Sequence, residues 1–569
     1  MVSAVHTKAY GGKIVKINGV ALQEFSLQKI AGGECCDYAM CLFKEYMEKA
    51  FSFTFGNESP NKILFTEEGE GESVKFSVEN GALYFYGGKR GIIYSVLEFL
   101  ELIGWRFFTP TLEKFLGDGT LDLPNGYVYE YTPTYRHRQN IYNCTKVDSW
   151  SLRQKVNVEW KRALPAHMGG GITFAGPEPV HTFSLLMPAG TYFERYPECF
   201  ALRPDGTRSD RQPCMSEEKT FEIMLGTALA WLDANPDADA ISVSQNDNWL
   251  QCGCEKCTAA RSEDGASGAL LRFVNRMARE IKKKYPRVLV ETIAYDQTLA
   301  APLQTVPEDN VVVRLCTKGR CHLHNLDDEN SAWCKKVYTA LRDWSKITKH
   351  LQIWEYTASF NYILLGFPID DRYAHDSAVY AEHGVSGILT EGCHLGNSCN
   401  FAELASYLHA KLAWKPHMGI EEYRRHKTEF ITAYYGNAAS YMIEYLELLA
   451  AYTKDSVIDL VPAPFSLIPQ FKDGKEWGKE YFEKSCVVFE KALAQAETQE
   501  IYDRVEKEFL QPLYYWSEVC FANDMLNHPE ERKRYISLIE KLYELMDKYQ
   551  ITYVRFGYSR TGVHVQRKS

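Results

Sequence analysis

The stretch Asp239-Ala-Ile-Ser-Val-Ser-Gln-Asn-Asp-Asn248 decides the fold, because a short apolar strand passes directly into amide and acid side chains. Its apolar residues alternate with serines, and the run then reaches Gln245, Asn246 and Asp247. Reactive side chains at the carboxyl end of a buried strand are typical of the rim of a (β/α)8 barrel, where active sites lie. The stretch therefore predicts an enzyme whose site lies at the strand ends.

Four later segments have the same design, an apolar run that ends in a polar or aromatic side chain. Between about 131 and 417 such runs alternate with helical patterns, and this alternation favours a parallel sheet covered by helices. We therefore predict an α/β fold, a (β/α)8 TIM barrel. The ends of the four runs are Tyr295, Arg314, the Trp354-Glu355-Tyr356 triplet and Glu391.

The length of 569 residues predicts two or three domains. Residues 1–130 contain short strand-like runs and a helix at 89–103 followed by Gly104, the residue type that ends helices, so we predict an N-terminal α+β accessory domain. Residues 131–417 form the predicted catalytic barrel. Residues 418–569 show only helical spacing and are predicted to form a C-terminal helical domain.

Composition and charge exclude two classes of partner. The formal net charge of -10 argues against nucleic acid, which requires a clustered basic surface. No run of 18 or more apolar residues is present, so we expect no membrane span. The first eight residues lack the layout of a secretion signal, which predicts a cytoplasmic protein, or a secreted or surface protein if a leader has been removed.

Cysteine is frequent, with 16 residues, but the spacing does not resemble a secreted disulfide framework, and we expect reduced thiols. The cluster formed by Cys252, Cys254 and Cys257 is a candidate structural zinc site. Its fourth ligand would come from Cys316, Cys321, Cys334 or a histidine. The alternative is a tight loop with buried thiols, and we expect the reaction itself to require no cofactor.

Glu391 and Asp247 are the candidate catalytic carboxylates. Hydrolysis of a glycoside needs a protonated acid at the leaving oxygen and a second group on the other side of the anomeric carbon. An acetamido sugar can supply that second group through its own carbonyl, and Asn246 next to Asp247 suits the orientation of an acetamide. The alternatives are that Glu391 caps a helix or pairs with an arginine, and that Asp247 caps a helix or closes a loop.

Other side chains near the predicted rim are candidates for binding substrate. Glu355, between two aromatic residues, would have a raised pKa or hold a sugar hydroxyl. Arg314 and Arg138 would bind a carboxylate or hydroxyls of the substrate, or pair with Glu391 or Asp247. Each aromatic or histidine candidate has a structural role as its alternative. The candidates are Gln245, His181, Tyr295, Arg314, Trp354, Glu355, Tyr356 and Arg138.

Several motifs together resemble a known family. They are Val-His-Thr-Phe at 180–183, Tyr-Phe-Glu-Arg-Tyr-Pro-Glu-Cys-Phe-Ala-Leu at 192–202, the Gln-Asn-Asp-Asn strand end with its Cys-x-Cys-x-x-Cys sequel, Val-Val-Val-Arg-Leu-Cys and Ile-Trp-Glu-Tyr. Over about residues 80–450 the chain resembles glycoside hydrolase family 163, first described as a domain of unknown function in gut bacteria. The segment before the barrel resembles the accessory domain of glycoside hydrolase families 20 and 67.

The resemblance implies an endo-β-N-acetylglucosaminidase that cuts between the two core N-acetylglucosamines of complex N-glycans, with retention of configuration and participation of the substrate acetamide. It implies that Gln245-Asn246-Asp247, Glu391 and His181 match family motifs. The family has Asp at the position of Glu355 and Gln near Asp296, so the chain departs from it at these two positions. The implied partner is a glycan or glycopeptide.

Two other functions remain open from the sequence. One is an exo-acting glycosidase of α-glucuronidase or hexosaminidase type, with Arg314 or Arg138 binding a uronate. The other is a glycan-binding protein without catalysis. The sequence leaves the oligomeric state open.

Overall fold

The computed structural model describes residues 14–158, 163–360, 362–394, 397, 400–454, 475–522, 529–555 and 558–559. Contacts divide the chain into two compact units, one with residues up to Thr134 together with 144–157 and 163–171, and one with the remainder. The division into domains at 1–130, 131–417 and 418–569 stays a prediction. The first 13 residues, on which the predicted location rests, lie outside the described part, as do several segments after 454.

The first unit contains a five-stranded mixed sheet, in the order β10-β5-β6-β4-β3, and two small sheets, β2-β1-β9 and β7-β8. The strands are β1 (Ile14–Ile17), β2 (Val20–Ala21), β3 (Phe25–Ala31), β4 (Asn61–Glu67), β5 (Val74–Glu79), β6 (Ala82–Gly87), β7 (Trp105–Thr109), β8 (Leu112–Phe115), β9 (Thr120–Leu123) and β10 (Val128–Tyr131). The helices are α1 (Glu34–Phe51), α2 (Lys89–Ile103) and α3 (Asp148–Arg153).

Helix α2 confirms the helix predicted from the apolar spacing. Its apolar residues except Leu102 are buried, and it ends where Gly104 adopts a φ of 118°, a conformation that glycine reaches without steric cost.

The second unit is an α/β structure built on a curled parallel sheet of seven strands, in the order β11-β19-β18-β17-β16-β15-β12. The first of these strands in the sequence pairs with the last, so the sheet curls back on itself. A parallel bridge between Gln139 and Val158 extends it beyond β11. The seven strands are β11 (His137–Ile141), β12 (Phe174–Ala175), β15 (Ala240–Ser242), β16 (Leu289–Ala294), β17 (Val311–Cys316), β18 (Leu351–Tyr356) and β19 (Gly387–Glu391).

Shorter strands and helices complete the second unit. The antiparallel hairpin of β13 (Phe200–Leu202) and β14 (Arg208–Pro213) turns at Asp205-Gly206, as its sequence predicts, and β20 (Tyr553–Arg555) pairs with β21 (Tyr558–Ser559). The helices are α4 (Phe183–Leu186), α5 (Ala189–Tyr192), α6 (Glu218–Ala234), α7 (Glu255–Lys284), α8 (Ala332–Ser345), α9 (Arg372–Glu382), α10 (Ala402–Trp414), α11 (Gly419–Tyr435), α12 (Ala439–Lys454), α13 (Lys475–Gln495), α14 (Gln499–Glu508), α15 (Leu510–Ala522) and α16 (Pro529–Lys548).

Two helical stretches of this unit are interrupted. Helix α7 has a break at Gly265, whose φ is 77°. Helices α14 and α15 are separated by Phe509. Among the described helices, none has the length and apolar character needed to cross a membrane.

A buried polar layer fills the inside of the curled sheet. Arg314 Nη2 donates to Glu291 Oε2 over 2.8 Å and to Gln352 Oε1 over 2.9 Å, and it lies 3.1 Å from His137 Nε2. Burial raises the pKa of Glu291 to about 7 although Arg314 opposes the shift. The prediction that Arg314 ends its strand is wrong, because the strand continues to Cys316 and the guanidinium lies within this layer.

Candidate active site

The carboxyl ends of the parallel strands carry a cluster of packed, mostly aromatic and aliphatic side chains. Side chains alternate between the two faces of a strand, so residues two apart in β16 to β19 point to the same, inner face. The cluster contains Val180, Ile293, Tyr295, Cys316, Trp354, Tyr356 and Leu389. The rings of Trp354 and Tyr356 lie nearly parallel, with centroids 6.1 Å apart. We call these residues the aromatic cluster, and both candidate carboxylates accept hydrogen bonds from its members.

Glu391 is attached to the cluster by Trp354. The indole Nε1–H donates to Glu391 Oε2 over 2.9 Å, from the neighbouring strand β18. Burial of the carboxyl raises its pKa to about 7, and the indole hydrogen bond opposes this shift only in part. The residue as a whole keeps some contact with solvent. A carboxyl with these properties is protonated in a large fraction of the molecules near neutral pH and can donate a proton.

Asp247 is attached to the same cluster by Tyr295. The Tyr295 hydroxyl donates to Asp247 Oδ1 over 3.0 Å and accepts from Lys318 Nζ over 2.7 Å. Lys318 also lies 3.2 Å from Asp296 Oδ2. Burial and the neighbouring carboxylates raise the pKa of Tyr295 above its ordinary value, so the hydroxyl keeps its proton. Asp247 itself is exposed, which leaves its carboxylate open to a ligand.

The two amides before Asp247 hold the loop in place. Asn246 Oδ1 accepts from the Ser184 backbone N–H over 2.8 Å, and its Nδ2 donates to the Arg211 carbonyl over 2.8 Å. Gln245 is buried and its Nε2 donates to the hydroxyl of Thr298 over 3.0 Å. Both groups of the Asn246 amide are thus engaged with the backbone. This geometry does not favour the predicted role of Asn246 in orienting an acetamide.

His181 lies beside the cluster in a strained backbone conformation, with a φ of 55°. Its Nδ1 lies 2.8 Å from the Gln245 carbonyl oxygen, so Nδ1 carries the proton and Nε2 is an acceptor when the ring is neutral. Its ring meets that of Tyr295 edge to face, with centroids 6.0 Å apart. His181 therefore contacts Gln245 and Tyr295, the residue whose hydroxyl donates to Asp247.

Two predicted residues point away from the cluster, because they occupy the alternate positions of their strands. Glu355 faces helix α9, where its Oε2 accepts from the Tyr380 hydroxyl and lies 3.6 Å from Arg320 Nη1. Arg138 lies over the ring of Trp414 in α10, 5.2 Å from its centroid, and donates to the Tyr135 carbonyl. These positions do not suit contact with substrate.

Sequence reasoning missed Lys318 and Trp249. Lys318 follows two residues after the end of β17, so the rule that polar residues collect at strand ends would have found it with a correct strand boundary. Trp249 follows Asp247 by two residues and is 69% exposed. An exposed indole next to a carboxylate is a surface on which a sugar ring can stack, and its adjacency to the strand-end motif was the available signal.

The predicted cysteine cluster is present, with a different fourth member. Cys214, at the end of the β13–β14 hairpin, joins Cys252, Cys254 and Cys257, and the four sulfurs lie within 4.8 Å of one another. The proposed fourth ligands lie elsewhere: Cys316 belongs to the aromatic cluster, Cys321 Sγ accepts from the Leu323 backbone N–H, and Cys334 Sγ donates to the Cys321 carbonyl. Sequence separation of about 40 residues concealed Cys214.

Comparisons with known proteins give a family and a fold. The family model described as "Domain of unknown function (DUF4838)" matches residues 107–447, more than half of the chain. No curated protein sequence matches. A family GH115 4-O-methyl-α-glucuronidase with specificity for decorated arabinogalactans has a similar structure, with a TM-score of 0.58, 11% identity, and coverage of 95% of this chain and 76% of that chain.

A GH20 β-N-acetylhexosaminidase from Streptomyces coelicolor A3(2) has a TM-score of 0.40 at 14% identity, with coverage of 71% of this chain and 90% of that chain. Of these two, the GH115 structure is similar enough to define a shared fold. It shows that the chain has an α/β architecture that is used by a glycoside hydrolase. This similarity concerns the fold and does not identify the substrate or the mode of cleavage of this chain.

Proposed function

The chain belongs to the DUF4838 family, and from that premise we propose that it is a retaining glycoside hydrolase acting on a β-linked N-acetylglucosamine. One observation carries the proposal. Glu391 and Asp247 each accept a hydrogen bond from a residue of the same aromatic cluster, but the Glu391 carboxyl is buried and Asp247 is exposed. Glycosidases commonly use two carboxyl groups in different surroundings, one of them a buried general acid.

Glu391 is the general acid of the proposed reaction. Its pKa of about 7 keeps it protonated at the start of a turnover, and the Trp354 N–H stabilises the carboxylate that remains after the proton has moved to the leaving oxygen. The bond between the anomeric carbon and that oxygen then breaks. In the second step water attacks the anomeric carbon, the bond from that carbon to the acetamide oxygen breaks, and the same carboxylate accepts the proton that the water loses.

Asp247 and Tyr295 orient the acetamide of the substrate. The sugar acetamide carbonyl oxygen attacks the anomeric carbon, and positive charge develops on the acetamide nitrogen as this bond forms. The exposed carboxylate of Asp247 is suited to accept the acetamide N–H and stabilise that charge, and Lys318 holds the Tyr295 hydroxyl beside it. Tyr295 takes the place that the sequence assigned to Asn246, whose amide holds the backbone.

The proposal also includes a (β/α)8 barrel fold and endo cleavage of an N-glycan. We assign the curled sheet to a (β/α)8 barrel in which Val158 marks the strand between β11 and β12, since it bridges to Gln139 in parallel. The resemblance of the sequence motifs to those of glycoside hydrolase family 163 is the basis for proposing endo cleavage between the two core N-acetylglucosamines of an N-glycan. Trp249 is exposed beside Asp247 and offers a stacking surface to the glycan.

The test is incubation with a complex-type N-glycoprotein, followed by mass spectrometry of the released sugars. A free glycan with one N-acetylglucosamine at its reducing end is the expected product. Inhibition by a thiazoline analogue of N-acetylglucosamine, which mimics the cyclised acetamide, would support participation of the substrate. Release of monosaccharides alone would overturn the endo assignment, and binding without any product would favour the glycan-binding alternative.

Lys318 favours an exo-acting uronidase as a second candidate. Its ammonium group lies at the aromatic cluster, next to Tyr295 and Asp296. Arg314 is buried under the ring of Trp354 and paired with Glu291, and Arg138 is buried against Trp414. A cation in this position is suited to bind the carboxylate of a uronic acid. A panel of aryl α- and β-glucuronides distinguishes the candidates, since the N-acetylglucosamine enzyme should hydrolyse none of them and Lys318→Met should abolish any uronidase activity.

A further inference from the structure

Four cysteine sulfurs from two separate segments meet in the second unit. Cys214 ends the β13–β14 hairpin, and Cys252, Cys254 and Cys257 lie at the start of helix α7. Three of the four residues are buried, and none of them forms a disulfide. Cys214 Sγ lies 3.6 Å from Cys254 Sγ and 3.7 Å from Cys257 Sγ.

These separations match a tetrahedral metal site. Four sulfurs at about 2.3 Å from a zinc ion stand about 3.8 Å apart along the edges of the tetrahedron. A disulfide would require about 2.05 Å between two sulfurs, which is far shorter than either measured separation. The geometry therefore suits a single metal ion surrounded by all four sulfurs.

Backbone N–H groups donate to two of the four sulfurs. The backbone N–H of Leu202 donates to Cys252 Sγ over 3.3 Å, and that of Cys257 donates to Cys254 Sγ over 3.4 Å. Cys254 is the N-cap of α7, so the positive end of the part of this helix that precedes Gly265 points at the cluster. Backbone donors to coordinated sulfur are the usual second layer of a structural zinc site.

We propose that Cys214, Cys252, Cys254 and Cys257 together bind one zinc ion in a closed structural site. Four protein ligands leave no open position for water or substrate, so the role is mechanical. The ion would join the hairpin to the loop that carries Asp247, five residues before Cys252. Hydrogen bonds follow the same path, since Gln212 Nε2 donates to the Asn246 carbonyl over 2.9 Å and Gly253 N–H donates to the Leu202 carbonyl over 2.7 Å.

The first test is the metal content of the full-length protein purified without chelators. We expect one zinc per chain by plasma mass spectrometry, and in cobalt-exchanged protein we expect the intense sulfur-to-metal charge-transfer bands of tetrahedral cobalt with four thiolates. Protein that contains less than about a tenth of an equivalent of zinc, and that takes up neither zinc nor cobalt after reduction, would overturn the proposal. Stoichiometric iron in place of zinc would overturn the identity of the metal.

Variants then test the ligand set. Cys214→Ser should lower zinc content at least about tenfold and weaken the cobalt charge-transfer bands, because metal affinity depends on every ligand. Cys199→Ser is the matched control: Cys199 is buried in the same hairpin region, and its carbonyl accepts from the Cys214 N–H over 2.7 Å, but it lies outside the four-sulfur cluster. Equal zinc in the two variants would overturn the assignment of Cys214.

A measurement on wild-type protein covers the case in which Cys214→Ser fails to fold. Removal of zinc by a mercurial reagent and a chelator should speed hydrogen exchange in residues 208–214 and 245–258, and readdition of zinc should reverse the change. Exchange that is unaffected in these two segments would overturn the mechanical role. None of these readouts depends on the glycosidase activity, so failure here is distinguishable from failure of the proposed function.

Discussion

The indole N–H of Trp354 donates to Oε2 of Glu391 over 2.9 Å, joining two side chains at the carboxyl ends of neighbouring parallel strands. The hydrogen bond stabilises the ionised carboxylate, whereas burial favours the neutral acid, and burial prevails, with a pKa of about 7. The balance between these two effects determines how readily Glu391 donates and regains a proton.

Replacement of the proposed acid should abolish most turnover without unfolding the protein. We expect Glu391→Gln to lower kcat on an N-glycoprotein by about 10²- to 10⁴-fold, the usual contribution of a general acid. Glu382→Gln, at an exposed carboxylate at the end of α9, is the control and should keep full activity. Circular dichroism checks the fold of both variants. Wild-type kcat in Glu391→Gln would contradict the assignment.

The indole hydrogen bond should set the alkaline limit of activity. Because Glu391 must be protonated, kcat should fall as pH rises through about 7. Trp354→Phe removes the donor that stabilises the carboxylate, so the pKa should rise and the alkaline limb should move up by about one pH unit, given the strength of hydrogen bonds to charged groups. Profiles of kcat against pH measure the shift.

A matched variant controls for the loss of an indole. Trp344→Phe removes an N–H that donates to the Leu299 carbonyl over 2.9 Å in another part of the unit. Its alkaline limb should coincide with that of the wild type. A profile of Trp354→Phe that coincides with the wild type would show that the hydrogen bond does not control the ionisation that limits activity.

Glu391 should cost the protein stability at alkaline pH. Its pKa in the folded state is raised from an ordinary value of 4.5 to about 7, so its stabilising contribution is present below pH 4.5 and is lost as pH rises through 7. Glu391→Gln carries no charge and avoids this loss. We expect it to gain about 3 kcal/mol in free energy of unfolding relative to the wild type between pH 4.5 and pH 8. Denaturant unfolding at the two pH values provides the test, and a constant difference would refute the prediction.

The hydroxyl of Tyr295 should contribute to kcat/KM through its hydrogen bond to the Asp247 carboxylate. Tyr295→Phe removes the donor to Asp247 and the acceptor of Lys318, so we expect kcat/KM to fall about tenfold to a hundredfold, as for loss of a positioning hydrogen bond at a reacting centre. Tyr338→Phe, in helix α8, loses a phenol hydroxyl in another part of the unit and should have no effect. Sensitivity to the thiazoline inhibitor should fall together with kcat/KM; unchanged inhibition would argue against a role at the acetamide.

Glu355 should affect stability rather than catalysis. Its carboxylate contacts Tyr380 and Arg320 on the helix side of the sheet, and Arg320 keeps Asp376 as a second partner at 2.5 Å. We expect Glu355→Gln to lower the free energy of unfolding by about 1–3 kcal/mol and to change kcat and KM less than twofold. A large change in KM with unaltered stability would return Glu355 to the substrate site.

The sequence by itself determined the alternation of strands and helices, the position of Glu391 at the end of β19 and the three clustered cysteines near the start of α7. It did not determine the position of Asp247, which lies in the loop after β15, a strand that ends at Ser242. The features that it determined are local, because apolar periodicity and cysteine spacing are set within a few residues. A small error in a predicted strand boundary changes the predicted position of a side chain. Arg314 was expected at the rim, but it lies in a buried layer because its strand extends two residues further.

The tertiary structure alone decided which side chains meet. Glu355 and Trp354 are adjacent in the sequence but point to opposite faces of the strand, and only the packed rings show that Trp354 reaches Glu391. Cys214 joins three cysteines about 40 residues away because the hairpin folds back onto the start of α7. Contacts between distant segments depend on how the sheet curls, which is a property of the whole unit rather than of any short stretch of sequence.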